Sequence, residues 1–392
     1  MNAAEHIRRT LNVAARECGI LRSNMIYLFC MVIFPVVIVF FFTSLMSEGQ
    51  PEDMPVGVVD MDNTTTTRSM TRKLDAFQNT RVVRHFNDIS EARSAMQRNE
   101  IYAFLYFPAG TTDKLLSMRQ PKISIYYSNT SLTAGALLSK DLKIIATLGS
   151  AGAGSAQMSA KGYTERQIMA FLQPVVIDLH TIQNPWVSYN IYLSTMLIPG
   201  CIMLFIFLIT VYSIGTELKF GRSKEWLAMA GNSIYVAVAG KMLPQFIVFI
   251  TITLAYMLYV FGILDFPHPG GTWTMILLGL LSVVSAQGFG IFMFGLMPSL
   301  RMSMSTCSLW AVISFSLSGA AYPIFSMSPA IEALAQLFPL RHYYMVYQIC
   351  VFNGFPLSYA WFNIAALAGF ACLPVFIMRN LKRAMLEFVY IP

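Results

Sequence analysis

Six long stretches of this chain contain no Asp, Glu, Lys or Arg, and they limit its possible folds more than any other feature. They are residues 23–47, 189–216, 242–264, 266–300, 302–331 and 342–378. A helix of about 20 apolar residues crosses the hydrocarbon core of a bilayer. With 56% hydrophobic and 12% charged residues, the chain is also too apolar for a soluble domain. We therefore predict a polytopic α-helical membrane protein with six transmembrane helices.

The composition changes between the first and second apolar stretches, because residues 47–188 hold most of the charged residues of the chain. We predict an extracytoplasmic α/β domain here, inserted between transmembrane helices 1 and 2. Strands are expected at 56–60, 81–86, 102–107 and 122–127, alternating with helices at 66–77, 89–99 and 111–118. Asp88 is the expected cap of the second of these helices. A long helix over 132–172 and a strand over 175–181 complete the predicted domain.

The basic residues predict the orientation, because Lys and Arg in short loops resist translocation. They cluster in the N-terminal segment, after the second apolar stretch, at Arg301 and after residue 378, so the whole net charge of +7 falls on one side. We predict that this side is the cytosol, that both termini lie in it, and that the membrane is the inner membrane. The predicted order is a cytosolic helix (1–22), the first span (23–46), the α/β domain (47–188), a membrane domain with helices 2–6 (189–379) and a cytosolic tail (380–392).

Residues 1–22 have helical spacing, with Ile7, Leu11 and Cys18 on one side and basic residues on the other. This pattern predicts an amphipathic helix on the cytosolic membrane face. A cytosolic helix packed on protein is the alternative.

The charged segment 215–233 lies between two apolar stretches. It predicts a short cytosolic helix, with Trp226, Leu227 and Met229 facing the membrane and the charges facing water. A solvated loop that only follows the positive-inside rule is the alternative.

Residues 322–353 are too rich in proline for one span and too apolar for a free loop. We predict short re-entrant helices that dip into the outer leaflet, with Pro323, Pro339 and Arg341 among their residues.

The chain contains no G-x-x-x-x-G-K-[ST] phosphate loop, no C-x-x-C pair and no group of neighbouring histidines. We therefore expect no catalytic, cofactor-binding or metal-binding residues, and no nucleic-acid partner. No Asp or Glu falls in the middle of an apolar stretch, which disfavours ion-coupled transport. Energy for transport would then come from another polypeptide.

Several stretches together resemble the permeases of the type-2 ABC exporter family, over nearly the whole chain. They are PVGVVDMD (55–62), FPAG (107–110), GTE (215–217), KEWL (224–227), GKMLP (240–244), SGAAYP (318–323) and FPLR (338–341). The resemblance implies a transport subunit, not an enzyme, that pairs with a second permease copy or paralogue and with cytosolic ATP-binding subunits that carry the ATP.

The resemblance also implies roles for particular residues. Segment 215–233 would be the coupling helix, whose contacts with the ATP-binding subunit come from Glu217, Arg222, Lys224, Glu225 and Trp226. Glu217 would be the principal contact, so Glu217→Ala would uncouple transport and leave folding intact. Pro323, Pro339 and Arg341 would belong to the outer gate.

We predict an ATP-driven exporter of amphiphilic or hydrophobic molecules, such as a drug or lipid-like compound, out of the cytoplasm or inner membrane. The α/β domain would gate the exit or dock a periplasmic adaptor. The alternative is a membrane-anchored sensor or scaffold whose external domain binds a ligand or partner.

Overall fold

A computed structural model describes residues 3–117, 119–174, 180, 184–185 and 187–388. The chain divides into two compact units. One is an α/β domain over Glu48–Thr181, and the other is a helical unit formed by Met1–Ser47 together with Ile182–Pro392. Apart from His180, the strand predicted over 175–181 lies outside the described residues.

Two helices of the helical unit precede the α/β domain in the chain. Helix α1 covers Ala3–Ser23 and helix α2 covers Met25–Leu45. On α1, Val13 and Glu17 are buried, whereas Ile7 and Leu11 are 61% and 55% exposed. Helix α1 therefore packs one face on its own unit and leaves an apolar face uncovered by protein.

The α/β domain contains one four-stranded sheet with the order β2-β1-β3-β4. The strands are β1 (Met54–Asp60), β2 (Thr80–Phe86), β3 (Ala103–Phe107) and β4 (Ser124–Tyr127). Strand β1 is parallel to β2 and β3, and β4 is antiparallel to β3. All four lie at the positions predicted from the hydrophobic pattern.

Five helices accompany the sheet. They are α3 (Thr65–Asp75), α4 (Ile89–Gln97), α5 (Thr111–Leu116), α6 (Leu132–Ala160) and α7 (Glu165–Leu172). Asp88 caps α4 as predicted, by accepting hydrogen bonds from the N–H groups of Ile89 and Ser90. The prediction of one helix over 132–172 is wrong. The helix is interrupted at Gly162, which has a left-handed φ of +83°, and Thr164 then caps α7.

Helices α3 and α6 cover one face of the sheet, and α4 covers the other. Leu74 of α3 and Leu138 and Leu142 of α6 pack on Val56 and Val58 of β1. On the opposite face, Phe86, Phe104 and Ala92 form a smaller core. The domain therefore has a hydrophobic core of its own on each face of its sheet.

Asp141 is a largely buried carboxylate on α6, and its Oδ2 atom accepts no hydrogen bond. Burial raises the pKa of Asp141 above its ordinary value. Because the folded state favours the protonated form, stability is lost as the pH rises from the ordinary carboxyl pKa through the raised one. We expect Asp141→Asn to stabilise α6 at pH 8 by up to about 1 kcal/mol, with little gain at acidic pH. Hydrogen exchange of α6 amides, corrected for intrinsic rate, measures the difference; equal gains at both pH values would contradict it.

The remaining helices all belong to the helical unit. They are α8 (Asn190–Lys219), α9 (Ser223–Met229), α10 (Ile234–Ile263), α11 (Gly271–Leu296), α12 (Leu300–Leu317), α13 (Pro329–Ala335), α14 (Pro339–Val346) and α15 (Leu357–Glu387). The π-helical segment Tyr347–Phe352 continues α14.

Within the described residues, five helices are long and apolar enough to cross a membrane, namely α2, α8, α10, α11 and α15. They agree with five of the six predicted spans. Helix α12, at the place of the remaining one, has 18 residues. Arg301 and several serines make it more polar than the others. The sixth span therefore stays a prediction.

Candidate functional site

Four charged side chains meet inside the helical unit, where α1, α8 and α10 come together. Lys241 Nζ lies 2.6 Å from Glu17 Oε2 and 2.8 Å from Glu217 Oε1. Arg16 donates two hydrogen bonds to Glu217, of 2.7 and 2.9 Å. Glu17, Glu217 and Lys241 are each 1% exposed. We call Arg16, Glu17, Glu217 and Lys241 the ion cluster; with two cations and two anions, its formal charge is zero.

The four members of the ion cluster come from three helices that are far apart in the chain. Helix α1 supplies Arg16 and Glu17, the last turn of α8 supplies Glu217, and the first half of α10 supplies Lys241. Gln245, one turn beyond Lys241, donates a 3.1 Å hydrogen bond to the other oxygen of Glu17. The bond to Glu217 raises the pKa of the Arg16 guanidinium above its ordinary value, so Arg16 stays charged.

A glycine allows the close approach of α1 to α10. A Cβ atom on Gly240 would lie 2.7 Å from the carbonyl oxygen of Thr10 and 2.7 Å from Cβ of Val13. Only a residue without a side chain fits between the two helices at this point. The approach places Glu17, one turn after Val13 on the same face of α1, against Lys241.

Helix α9 lies next to the ion cluster in the segment predicted to be the coupling helix. Trp226 is fully buried, and Lys241 Nζ lies 5.4 Å from the centre of its ring. Leu227 is also fully buried, and Ser223 donates a 2.7 Å hydrogen bond to the carbonyl of Met385 in α15. The prediction that Trp226 and Leu227 face the membrane is wrong, because both pack inside the protein.

Other residues of this segment remain on its outer surface. Phe220 is 61% exposed, and Lys219, Lys224, Glu225 and Met229 are exposed as well. The guanidinium of Arg222 lies 5.3 Å from the centre of the Phe220 ring, and Arg222 is half-buried. We call Lys219, Phe220, Lys224, Glu225 and Met229 the α9 surface. Of the five residues predicted to contact a partner, Lys224 and Glu225 are exposed in this structure, Arg222 partly so, and Glu217 and Trp226 are not.

The residues predicted for the outer gate lie elsewhere in the helical unit. Pro323 is exposed and precedes a 3-10 turn at Ile324–Ser326, whereas Pro339 is buried in the first turn of α14. Arg341 is 5% exposed, and its Nε and Nη1 atoms have no hydrogen-bond partner. The segment 322–353 does consist of short helices; their dip into the outer leaflet stays a prediction.

A model of the family described as ABC-2 family transporter protein matches residues 25–378. The chain belongs to this family. It is thus a multi-pass membrane protein, the permease of an ABC transporter, and its family implies a partner subunit that binds ATP. Such permeases are membrane components of transporters and usually have no catalytic activity of their own. No curated protein matched the chain.

From the sequence of this ABC-2 permease, Glu17 was not identified, and Glu217 was predicted to contact the ATP-binding subunit instead of lying in a buried cluster. Both carboxylates are held by Lys241, which the sequence places beyond the charged segment and inside an apolar helix. A lysine in such a place requires a counter-charge, since burying an unpaired charge is costly. The position of Lys241 in the sequence therefore indicates a buried ion pair, but it does not identify the carboxylates that take part.

Proposed function

We propose that this permease is the transmembrane subunit of an ATP-driven exporter, and that its ATP-binding subunit docks on the α9 surface. The observation that carries the proposal is the contrast within α9, whose outer residues are exposed while Trp226 and Leu227 are locked inside. A force applied to the exposed face would be passed to the buried residues, and from Trp226 to Lys241 and the ion cluster. Helices α1, α8 and α10 meet there, so all three would respond together.

The composition of the α9 surface suits a protein partner. Phe220 is an exposed aromatic residue with cations on either side, and Met229 offers a second apolar contact. Aromatic residues at the centre of an interface supply much of its binding energy, and surrounding charges set partner choice and orientation. Under this proposal the α9 surface and both termini lie in the cytosol, and the membrane is the inner membrane.

A second permease copy or paralogue is proposed to cover α12. Met302, Ser305, Leu309, Val312 and Ser316 are exposed and recur every three or four residues, so they form one stripe along the helix. Serine on a lipid-facing surface is unfavourable, whereas serine between helices packs closely. A partner helix along this stripe would explain how a helix as polar as α12 spans the membrane.

The cargo is proposed to be amphiphilic or hydrophobic, such as a drug or lipid-like molecule. The long helices of the helical unit are predominantly apolar, and every charge of the ion cluster is paired. The α/β domain would then lie outside the membrane, where it gates the exit or docks a periplasmic adaptor. A sensor or scaffold remains the alternative; it does not need an exposed α9 surface joined to a buried ion cluster.

Phe220→Glu tests the docking proposal. We expect at least a tenfold loss of the ATP-binding subunit that co-purifies with the permease, because a carboxylate would replace an apolar contact at the centre of the interface. The thermal stability of the permease alone should not change, since Phe220 packs against little protein. Quantitative mass spectrometry of the tagged permease, purified in mild detergent, measures the retained subunit.

Phe171→Glu is the matched control, because Phe171 is an exposed phenylalanine on α7 of the α/β domain, at 73% exposure. It should retain the ATP-binding subunit at the wild-type level. If both variants retained the ATP-binding subunit equally, the docking site would not include Phe220. If no ATPase accompanies even the wild-type permease, the sensor or scaffold alternative is favoured over the exporter.

A further inference from the structure

A groove in the α/β domain has no part in the function proposed above. Two adjoining cavities, of about 440 and 580 Å³, lie among α3, α5 and the second half of α6. Met70, Leu115, Gly149 and Gln157 are among the residues that line both, so the cavities form one groove. Each of the two cavities has a volume within the range of about 300–1,000 Å³ that is typical of small-molecule sites.

The sequence of α6 changes where the groove begins. In the first half of the helix, Leu138, Leu142 and Ile145 are buried in the domain core. The second half contains Gly149, Gly152 and Gly154, although each glycine costs a helix about 1 kcal/mol relative to alanine. A Cβ atom on Gly152 would meet no heavy atom within 4 Å. Gly149 and Gly154 are in close contact with Met70 and Leu172, whereas Gly152 leaves open space beside α6.

Each cavity has one basic side chain in its lining. Lys73 lines the larger cavity and Arg119 the smaller one, and neither forms an ion pair among the described residues. No carboxylate is among the lining residues of either cavity in the described chain. The apolar wall comes from Met70, Leu115 and Leu148. An apolar groove with two free cations is complementary to a molecule with an apolar chain and an anionic head.

We propose that this groove binds a single-chain anionic amphiphile of the fatty-acid type. The acyl chain lies in the larger cavity, along Gly152 and Leu115, and the carboxylate is bound by Lys73 or Arg119. Binding of this kind combines burial of the chain, which scales with apolar area, with the attraction of an unpaired cation for the head group. The site does not depend on the direction of transport or on where the ATP-binding subunit docks.

The test uses the full-length permease held in amphipol and a fatty acid that carries a photoreactive diazirine on its chain. After illumination, peptide mass spectrometry locates the label. We expect the label on α3 and on the second half of α6. Gly152→Leu should reduce this labelling at least tenfold, because its side chain fills the groove. The same variant should melt at or above the wild-type temperature, because leucine favours a helix more than glycine does and a Cβ atom at this position meets no heavy atom within 4 Å.

Thr147→Leu is the matched control, because Thr147 is exposed on the same helix and does not line either cavity. It should label like the wild type. In the double variant Lys73→Gln and Arg119→Gln, the amount of label from the fatty acid should fall to the amount that its neutral methyl ester gives.

Three results would each overturn the proposal. The wild type and Gly152→Leu could be labelled equally, or the label could be confined to the membrane helices. The wild type could also be labelled equally by the acid and by its ester. Retention of the ATP-binding subunit is scored in parallel preparations in mild detergent. Ligand binding in the groove and docking on the α9 surface are thus tested independently of each other.

Discussion

Glu217→Ala should destabilise the folded permease by about 3–5 kcal/mol, the usual result of removing one partner from a buried ion pair. Without this carboxylate, Arg16 loses both of its hydrogen bonds to Glu217, and Lys241 keeps only Glu17. The remaining charges sum to +1 at a place where Lys241 is almost completely buried. This result differs from the expectation drawn from sequence, in which Glu217→Ala leaves folding intact and only uncouples transport.

The measurement is the temperature at which the purified permease loses its monodisperse peak on size exclusion. Glu225→Ala is the matched control, since Glu225 is an exposed glutamate on α9, and its midpoint should stay at the wild-type value. Arg16→Ala combined with Glu217→Ala should lose less than the sum of the two single changes, by about 0.5–3 kcal/mol, because the pair is then removed together. A wild-type midpoint for Glu217→Ala, with transport lost, would contradict this prediction and support direct contact with the ATP-binding subunit.

The elements that could be predicted from sequence are those whose signal is local. The four strands follow from short runs rich in β-branched and aromatic residues, and the cap at Asp88 follows from one residue before a helical pattern. Five apolar stretches became helices long enough to cross a membrane, because a bilayer requires only length and a lack of charge. The break at Gly162 was missed because the pattern on both sides is helical; the left-handed φ of Gly162 and the cap at Thr164 separate α6 from α7.

The ion cluster could not be predicted because the contacts of Arg16 and Glu17 join residues 201 and 224 positions apart in the chain. Helix α1 carries several charged residues, and its amphipathic pattern does not say which of them turns toward protein. The close approach at Gly240 decides this, since it brings Val13 and therefore Glu17 against α10. The apolar residues Ile7 and Leu11 remain uncovered by protein, and the position of α1 on a membrane surface stays a prediction.

Trp226→Ala should cost the permease about 3–5 kcal/mol, as is usual when a large aromatic side chain is removed from a core. Among the residues that the structure describes, Trp226 is the largest fully buried side chain. Its loss would leave a cavity below α9 and remove the ring that Lys241 faces at 5.4 Å. Because the same side chain holds α9 in place, we also expect weaker retention of the ATP-binding subunit, although Trp226 itself does not reach the surface.

Two further variants separate the positioning role of Trp226 from a role in contact. Trp226→Phe keeps an aromatic ring near Lys241 and loses an indole N–H that has no hydrogen-bond partner, so it should recover most of the stability and of the subunit retention. Met229→Ala, at an exposed site on the same helix, should change stability by less than about 0.5 kcal/mol. If Trp226→Ala melted like the wild type and yet lost the ATP-binding subunit, Trp226 would have to leave the core during docking. If Trp226 is buried and holds α9 against the ion cluster, Trp226→Ala should lose both thermal stability and the ATP-binding subunit.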